Sequence, residues 1–282
     1  MPRRVRIVSI NVNGIRAAAR KGMDEWLAEA GADILALQEV RATTAELQAA
    51  LPGWEVVHDE ALAKGRAGVA IASRLPHARM STVLGPEPLD SAGRWIEADF
   101  DIDGESLAVV SAYVPTGEAE TPRQDAKWAF LDAMERRMPQ LAAEHPLALI
   151  MGDLNVGHQT FDIRNWKGNV KKAGFLPRER AYFDRFLGDA GADVTGADGT
   201  TGTGLGWVDV GRRFAGDVDG PYTWWSMRGR AFDNDTGWRI DYHLATPALA
   251  ERVVDYRVVR AASWDTRWSD HAPVIADYTL GH

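Results

Sequence analysis

Leu147-Ala148-Leu149-Ile150-Met151-Gly152-Asp153-Leu154-Asn155 carries the pattern on which the rest of the chain is built: a short apolar run that stops at a glycine and a polar cluster. A run this short, closed by turn-forming residues, reads as a buried strand. The pattern recurs at Val5 to Ile10 before Asn11-Val12-Asn13-Gly14, at Ile34 to Leu37 before Gln38-Glu39, and at Leu107 to Ala112 before Tyr113. It returns at Ile240-Asp241-Tyr242-His243-Leu244. Helices lie between some of these strands. Met23 to Ala30 has apolar residues at helical spacing and stops at Gly31, and Thr43-Thr44-Ala45-Glu46 is a capping box that opens a short helix ending by Pro52. Thr121-Pro122-Arg123-Gln124 opens another, with proline at the first helical position ahead of Trp128, Phe130, Leu131, Met134 and Met138. A further helix runs from near Pro177 to Leu187. Strands outnumber helices and many lie too close together for parallel crossovers, so the expected class is an α+β layered sandwich. The Gly- and Asp-rich stretch from Gly196 to Gly220 reads as a long surface loop, with strand signals resuming at Tyr222.

The chain has 282 residues, 45% hydrophobic and 26% charged, within ordinary globular usage and unlike a disordered chain. Zero cysteines exclude disulfides, thiolate metal sites and cysteine nucleophiles, and suit a reducing compartment. The basic start, Met1-Pro2-Arg3-Arg4-Val5-Arg6, is followed by an apolar stretch that Ser9, Asn11 and Asn13 interrupt, so it does not form a signal sequence. No apolar run approaches the ~18 residues of a membrane span. A cytoplasmic, monomeric protein without a membrane partner is expected. The 32 basic against 40 acidic residues give a net charge of −8, so any nucleic-acid partner requires a local basic surface and preferably a cation.

If the strands are neighbours in a sandwich, their polar ends gather at one rim. That rim would hold Asn11, Asn13, Glu39, Tyr113, Asp153, Asn155, Asp241, Asp270 and His271. Carboxylate and amide oxygens are hard ligands suited to Mg²⁺, which takes one or two protein carboxylates and leaves other positions to water and phosphate. A histidine oriented by a carboxylate supplies acid/base or charge-stabilising chemistry, and an aspartate orients or deprotonates water. Together they point to phosphate-ester hydrolysis. Singly, each has an ordinary alternative: Gly152-Asp153-Leu154-Asn155 as a turn, Glu39 as a solvated strand end, Tyr113 as a half-buried strand aromatic, and Ser269-Asp270-His271-Ala272-Pro273 as a structural turn. His58, His77, His145, His158, His243 and His282 lack comparable surroundings and are assigned to surface or packing.

In their order, these residues resemble the exodeoxyribonuclease III family of apurinic/apyrimidinic endonucleases, within the wider endonuclease/exonuclease/phosphatase superfamily. The resemblance covers nearly the whole chain. It rests also on Asp162-Ile163-Arg164-Asn165-Trp166-Lys167-Gly168-Asn169 and Gly237-Trp238-Arg239-Ile240-Asp241-Tyr242, which are more specific to the DNA-repair branch. It implies one catalytic domain over residues 1–282, a four-layer α/β sandwich of two mixed β-sheets packed face to face with helices outside. It implies Glu39 as principal Mg²⁺ ligand, with Asn11, Asn13 and Asp270 near the metal or a second metal position and Mn²⁺ able to substitute. Asp153 would orient or activate the attacking water, helped by Asn155, while Asp241 holds His271 against the scissile phosphate and Tyr113 contacts that phosphate or the leaving oxygen. Trp224, Trp238 and Ile240 fall where the family lines a pocket for a flipped abasic deoxyribose. Asn13 stands where certain relatives carry aspartate, and the stretch from Gly196 to Gly220 is longer than in compact members.

Between Arg164 and Arg180 the basic residues Arg164, Lys167, Lys171, Lys172, Arg178 and Arg180 face Glu179 alone, interleaved with Trp166 and Phe175. With Asn165 and Asn169 in family register, and with Arg228 as a smaller basic site, this segment reads as a grip on backbone phosphates. The expected function is a Mg²⁺-dependent DNA-repair phosphodiesterase. It would incise double-stranded DNA 5′ to abasic sites and trim 3′ ends, including blocked ones, as a 3′-to-5′ exonuclease. The alternative keeps the chemistry and changes the substrate to RNA, a nucleotide or a lipid headgroup. A silent DNA-binding protein is disfavoured by intact Glu39, Asp153, Asp241 and His271.

Overall fold

The computed structural model describes residues 2–281 except Pro86, Glu87, Asp90 and Ser91. Strands β1 (Arg3–Asn11), β2 (Ile34–Gln38), β3 (Glu55–Asp59), β4 (Val69–Ser73), β5 (His77–Ser81), β6 (Trp95–Ile102) and β7 (Glu105–Tyr113) occupy the first part of the chain. Then follow β8 (Leu147–Asp153), β9 (Asp193–Thr195), β10 (Thr201–Thr203), β11 (Val208–Asp209), β12 (Asp241–Ala245), β13 (Val253–Val258) and β14 (Val274–Leu280). The helices are α1 (Ile15–Arg20), α2 (Met23–Ala30), α3 (Thr44–Ala50), α4 (Pro122–Glu144), α5 (Pro177–Leu187), α6 (Val210–Ala215) and α7 (Pro247–Ala250). One six-stranded sheet runs β13-β14-β1-β2-β4-β3 and the other β11-β12-β8-β7-β6-β5. Each is mixed: β1 and β2 pair in parallel in the first, β7 and β8 in the second, and the remaining pairs are antiparallel.

Strand alternation separates the layers. Val5, Ile7, Ile34, Ala36, Val109, Leu149, Met151 and Ala245 meet between the sheets in one core. Their neighbours Val8, Ile10, Leu35 and Leu37 face outward onto Ile15, Met23, Leu27 and Leu47 of α1, α2 and α3. Ala108, Val110, Ala148, Ile150 and Leu244 face outward onto Phe130, Met134, Met138, Phe183 and Phe186 of α4 and α5. The four-layer sandwich expected from the sequence is thus the one formed. The helix signals also hold: Thr43 and Glu46 complete the capping box of α3, Gly31 ends α2 in the left-handed conformation, and Thr121 caps α4 with Pro122 in its first turn. Among the described residues no helix is long and apolar enough to cross a membrane.

The same alternation carries the inner faces past the apolar core to a polar rim. Ser9 and Asn11, Gln38, Ser111 and Tyr113, Asp153, and Asp241 continue the inward series of their strands. Gln38 Nε2 donates to Ser111 Oγ at 3.0 Å and Ser111 Oγ donates to the Leu37 carbonyl at 2.9 Å, stitching the sheets together beneath the rim. Register brings Tyr113 opposite Asp153 and Asp241 opposite Asp153. Gly152 allows that pairing: its φ is +140° and a Cβ there would lie 2.0 Å from the Ala112 carbonyl oxygen.

Two expectations fail. The stretch 196–220 is not a plain surface loop, since it holds β10, β11 and α6 and buries Trp207, Val210 and Gly211. Its glycines serve close packing, which composition alone does not distinguish from exposure: a Cβ at Gly202 would meet Arg185 Cδ at 2.3 Å, and one at Gly204 the Asp189 carbonyl oxygen at 2.3 Å. Nor does a strand resume at Tyr222. Residues 222–240 are held by isolated bridges of Trp224 to Trp238 and His271 and of Ile163 to Trp238.

Behind this segment, Arg239 is fully buried and pairs with Asp162 at 2.6 Å and Asp209 at 2.7 Å, its guanidinium 4.5 Å from the centre of the Tyr242 ring. Burial raises the Asp162 carboxyl, but Arg239 and Arg212 outweigh it and hold it down at about 2. Removing one member of such a cluster strands the others in an apolar setting. Arg239→Met is expected to lower unfolding free energy by about 3–5 kcal/mol at neutral pH, read as a reduced urea midpoint with an unchanged slope. Because the Asp162 pKa is depressed, that deficit is present above the ordinary carboxyl range near ~4 and shrinks as pH falls toward about 2.

Candidate active site

The expected rim residues converge. Asn11 Nδ2 donates to Glu39 Oε1 at 3.0 Å and to Asp153 Oδ2 at 2.9 Å, so one amide joins the first sheet to the second. Asp153 Oδ1 accepts from the Asn155 amide at 3.0 Å, and Asn155 Nδ2 donates to the Val114 carbonyl at 2.9 Å. His271 Nδ1 lies 2.8 Å from Asp241 Oδ2, and its Nε2 lies 3.7 Å from Asp153 Oδ2. Asp241 is fixed from behind, its amide donating to Thr223 Oγ1 at 3.1 Å. Asp270 accepts from Asn13 Nδ2 at 2.8 Å and from Trp224 Nε1 at 3.1 Å. Asn13, Glu39 and Asn155 have φ of 47°, 50° and 51°, backbone that costs free energy unless surrounding contacts over-determine it.

One cavity of about 210 Å³ is lined by Glu39, Asp153, Asn155, Asp270 and His271 on its polar side and by Trp224, Trp238 and Ile240 on its apolar side. The two indoles meet edge to face, with centroids 6.1 Å apart, and their backbones exchange two hydrogen bonds of 2.9 Å. Gly174 completes the wall, since a Cβ there would stand 2.7 Å from the Trp238 ring. Tyr113 is buried at the rim, and Trp225 packs on Phe232 in a separate apolar cluster, as expected for a core tryptophan.

The basic residues stand outside the cavity. Arg164, Asn165, Lys167, Asn169 and Lys171 lie on the irregular segment after Ile163, which the Arg164 amide ties to the Gly237 carbonyl at 3.1 Å beside Trp238. Lys167, Lys171 and Arg228 are exposed and Asn169 is half-buried, while Arg164 forms an exposed ion pair with Asp219 at 2.8 Å. Lys167 Nζ sits 5.7 Å from the Trp166 ring centre and Asn169 Nδ2 donates to the Asn165 carbonyl at 2.8 Å, so the segment has internal order.

Burial raises the Asp153 carboxyl to about 7; His271 opposes the rise, while Asp241 and Glu39 add to it. Burial also works against a charged His271, but Asp241 and then Asp153 reverse this and lift the imidazole to about 10. Tyr113 is raised by burial and by Glu39 and Asp153, so it stays a neutral phenol. For Asp270, burial is outweighed by His271, Trp224 and Asn13, and its carboxyl is lowered.

Several contributors were absent from the sequence reading. Arg41 pairs with Glu39, and Arg94 lies over the Tyr113 ring at 4.5 Å. Lys127 is fully buried in α4, its Nζ donating to the Asn155 carbonyl at 2.7 Å and the Thr116 carbonyl at 3.2 Å and pairing with Glu179 at 2.8 Å. Periodicity could have found it: Lys127 falls on the apolar stripe of Phe130, Leu131, Met134, Met138 and Leu141, where a charge requires a partner.

The tightest group of potential metal ligands among the described residues is Asp153, Asp241 and His271, with ligand atoms within 4.8 Å of one another. This differs from the set expected around Glu39. A histidine held as imidazolium has no lone pair for a metal, so the group fits proton chemistry better. Glu39, paired on one side to a guanidinium and on the other to the Asn11 amide, offers the hard oxygen and already tolerates a neighbouring positive charge.

Known proteins share this arrangement of chain. An exodeoxyribonuclease of Bacillus subtilis is 34% identical over 272 residues, covering 96% of this chain and 98% of that protein. An AP endonuclease from Archaeoglobus fulgidus superposes with a TM-score of 0.80 at 28% identity, covering 98% of this chain and all of that one. A 3′ phosphatase from Neisseria, solved with a product DNA hairpin, gives 0.81 at 28% identity with the same coverage. The family described as Endonuclease/Exonuclease/phosphatase matches residues 8–271. With that match taking in strands of both sheets and every polar strand end at the rim, the chain belongs to the endonuclease/exonuclease/phosphatase family.

Proposed function

We propose that this protein is a Mg²⁺-dependent DNA-repair phosphodiesterase that incises duplex DNA 5′ to abasic sites and trims 3′ ends, acting as a monomer in the cytoplasm. The carrying observation is that one cavity joins Asp153 and His271, the latter backed by Asp241, to an apolar wall of Trp224, Trp238 and Ile240. A base-free sugar is compact and leaves the helix at less cost than a stacked nucleotide, and the apolar wall favours it by close packing. The nuclease names of the relatives and the exposed basic segment beside Trp238 support DNA over a small phosphoester or lipid headgroup.

In this reading the scissile phosphate lies over Asp153 and His271. Asp153, raised to about 7, is matched to taking a proton from an attacking water near neutral pH, while Asn155 and Asn11 hold its two oxygens. His271 remains protonated and its Nε2–H donates to the phosphate as charge develops, with Asp241 fixing the ring through Nδ1. Tyr113, a neutral phenol, donates to a phosphate or leaving oxygen. Glu39 would hold Mg²⁺ or Mn²⁺, with Asn11, Asn13 and Asp270 nearby; when bound, the cation supplies charge neutralisation at the phosphate. Arg164, Asn165, Lys167, Asn169, Lys171 and Arg228 would grip flanking phosphates.

The metal assignment is checked by chelation. EDTA is expected to abolish incision of an abasic duplex and added Mg²⁺ or Mn²⁺ to restore it, with Glu39→Ala folded but far weaker in metal-dependent rate. Full activity after thorough metal removal would refute the assignment.

The proton assignment is checked by nitrogen NMR of the imidazole. Wild-type His271 is expected to keep both protons through neutral pH and to titrate near about 10, whereas Asp241→Asn brings the midpoint down toward the ordinary value. Since the folded pKa is raised, the ion pair's stabilisation is full below the unfolded value near ~6.5 and is lost as pH rises through about 10. A neutral ring at pH 7 in the wild-type protein would remove His271 as a donor.

The pocket assignment is checked by substrate. Trp238→Ala is expected to lower abasic-site incision much more than hydrolysis of a small unhindered phosphodiester, because the polar cluster is untouched. Equal loss on both would assign Trp238 to the fold instead.

A further inference from the structure

A second cavity, of about 350 Å³, shares Asp270 with the first as a lining residue and is lined by Asn13 as well. Its wall carries two large side chains left open to solvent, Trp264 at 49% and Met227 at 56% exposure. They are held together by Arg267, whose Nη2 donates to Met227 Sδ at 2.8 Å while its guanidinium lies 5.7 Å from the Trp264 ring and 5.1 Å from that of Phe232. Among the described residues neither Arg267 nor Lys21, which lines the same groove, has an ion-pair partner. The platform is built in advance. Thr266 Oγ1 donates to the Ser263 carbonyl at 3.1 Å and accepts from the Ser263 amide at 3.2 Å, closing a turn around Trp264, and Trp268 packs on Trp26 at 5.7 Å.

We propose that this groove is a stacking subsite for the nucleobase on the 5′ side of the scissile phosphate, with Trp264 and Met227 as the platform and Arg267 and Lys21 meeting the adjoining backbone. The proposal rests on the function inferred above. If the base-free sugar occupies the Trp224–Trp238 pocket, it lies on the 3′ side of the cut, and the strand on the other side leaves across Asp270 into this groove. The nucleotide there has lost a stacking neighbour with the missing base, so it turns onto a protein aromatic at reduced cost. Asp265 also lines the groove, and that mixed charge favours a base face over a continuous phosphate track.

The test places the fluorescent base 2-aminopurine immediately 5′ or 3′ of a tetrahydrofuran abasic analogue in a duplex and follows its emission on binding in EDTA, where no cutting occurs. Wild-type protein is expected to change the emission of the 5′ probe. Trp264→Ala should abolish that change and raise Kd about tenfold, while Trp264→Phe retains both. The fold should be unaffected, since the side chain is half exposed, and thermal melting checks this. A 5′ response that survives Trp264→Ala, or a response confined to the 3′ probe, overturns the subsite. Abasic incision with wild-type Kd and KM in Trp264→Ala overturns it while leaving the proposed function standing. A wild-type protein that neither binds nor cuts abasic duplex in Mg²⁺ overturns the function, and the subsite with it.

Discussion

Three carboxylates line one small cavity and a fourth stands behind it against His271, and their mutual repulsion is the constraint around which the structure is arranged. Glu39, Asp153, Asp241 and Asp270 come from both sheets and from the turn before β14, with Asp153 and Asp241 almost wholly shielded from water. Carboxylates so placed persist only if each is given donors or cations. The forked Asn11 amide serves Glu39 and Asp153, His271 serves Asp241 and Asp153, Trp224 and Asn13 serve Asp270, and Arg41 serves Glu39. The Asn11 amide has little freedom, because it sits at the end of β1, whose inner face is already locked by the apolar core and by the Ser111–Gln38 link.

A second consequence concerns the walls. The cavity's apolar side is built from irregular chain, and irregular chain must satisfy its own backbone. Thr223 does so for the stretch through residue 241: its hydroxyl accepts from the Ile240 and Asp241 amides, each at 3.1 Å, and its carbonyl from the Ala272 amide at 2.7 Å. The Arg239 cluster then anchors the back of the same stretch to Asp162 and Asp209, so the indoles at the front are supported by ions at the rear. Lys127 plays the corresponding part under Asn155 and Thr116.

The legible parts of this chain were those governed by local rules. Short apolar runs closed by polar clusters mark β1, β2, β7, β8 and β12, and the caps Thr43, Thr121 and Gly31 mark helix ends, since each depends on neighbours in sequence. The polar strand ends were legible as a set because each directly closes an apolar run, and neighbouring strands in a sandwich bring such ends to one rim. What remained hidden depends on contacts distant in sequence. Nothing near Lys127 names Glu179 as its partner, nothing near Arg239 names Asp209, and the 196–220 stretch reads as solvent-facing because glycines that admit a neighbouring chain look like glycines that serve a turn. The platform at Trp264 was likewise invisible, being completed by Met227 and by Lys21 from the far end of the chain.

Gly152 brings these themes to a single atom. Its missing side chain is the space in which β7 lies against β8, and the next residue is Asp153. Any replacement would wedge the two parallel strands apart and rotate the carboxylate away from Asn11 in the same movement. Sheet integrity and chemistry at this point form one heritable trait. A lineage cannot drift through a well-folded but idle intermediate by changing this residue, and a randomised library at position 152 should return glycine whether it is screened for solubility or for turnover.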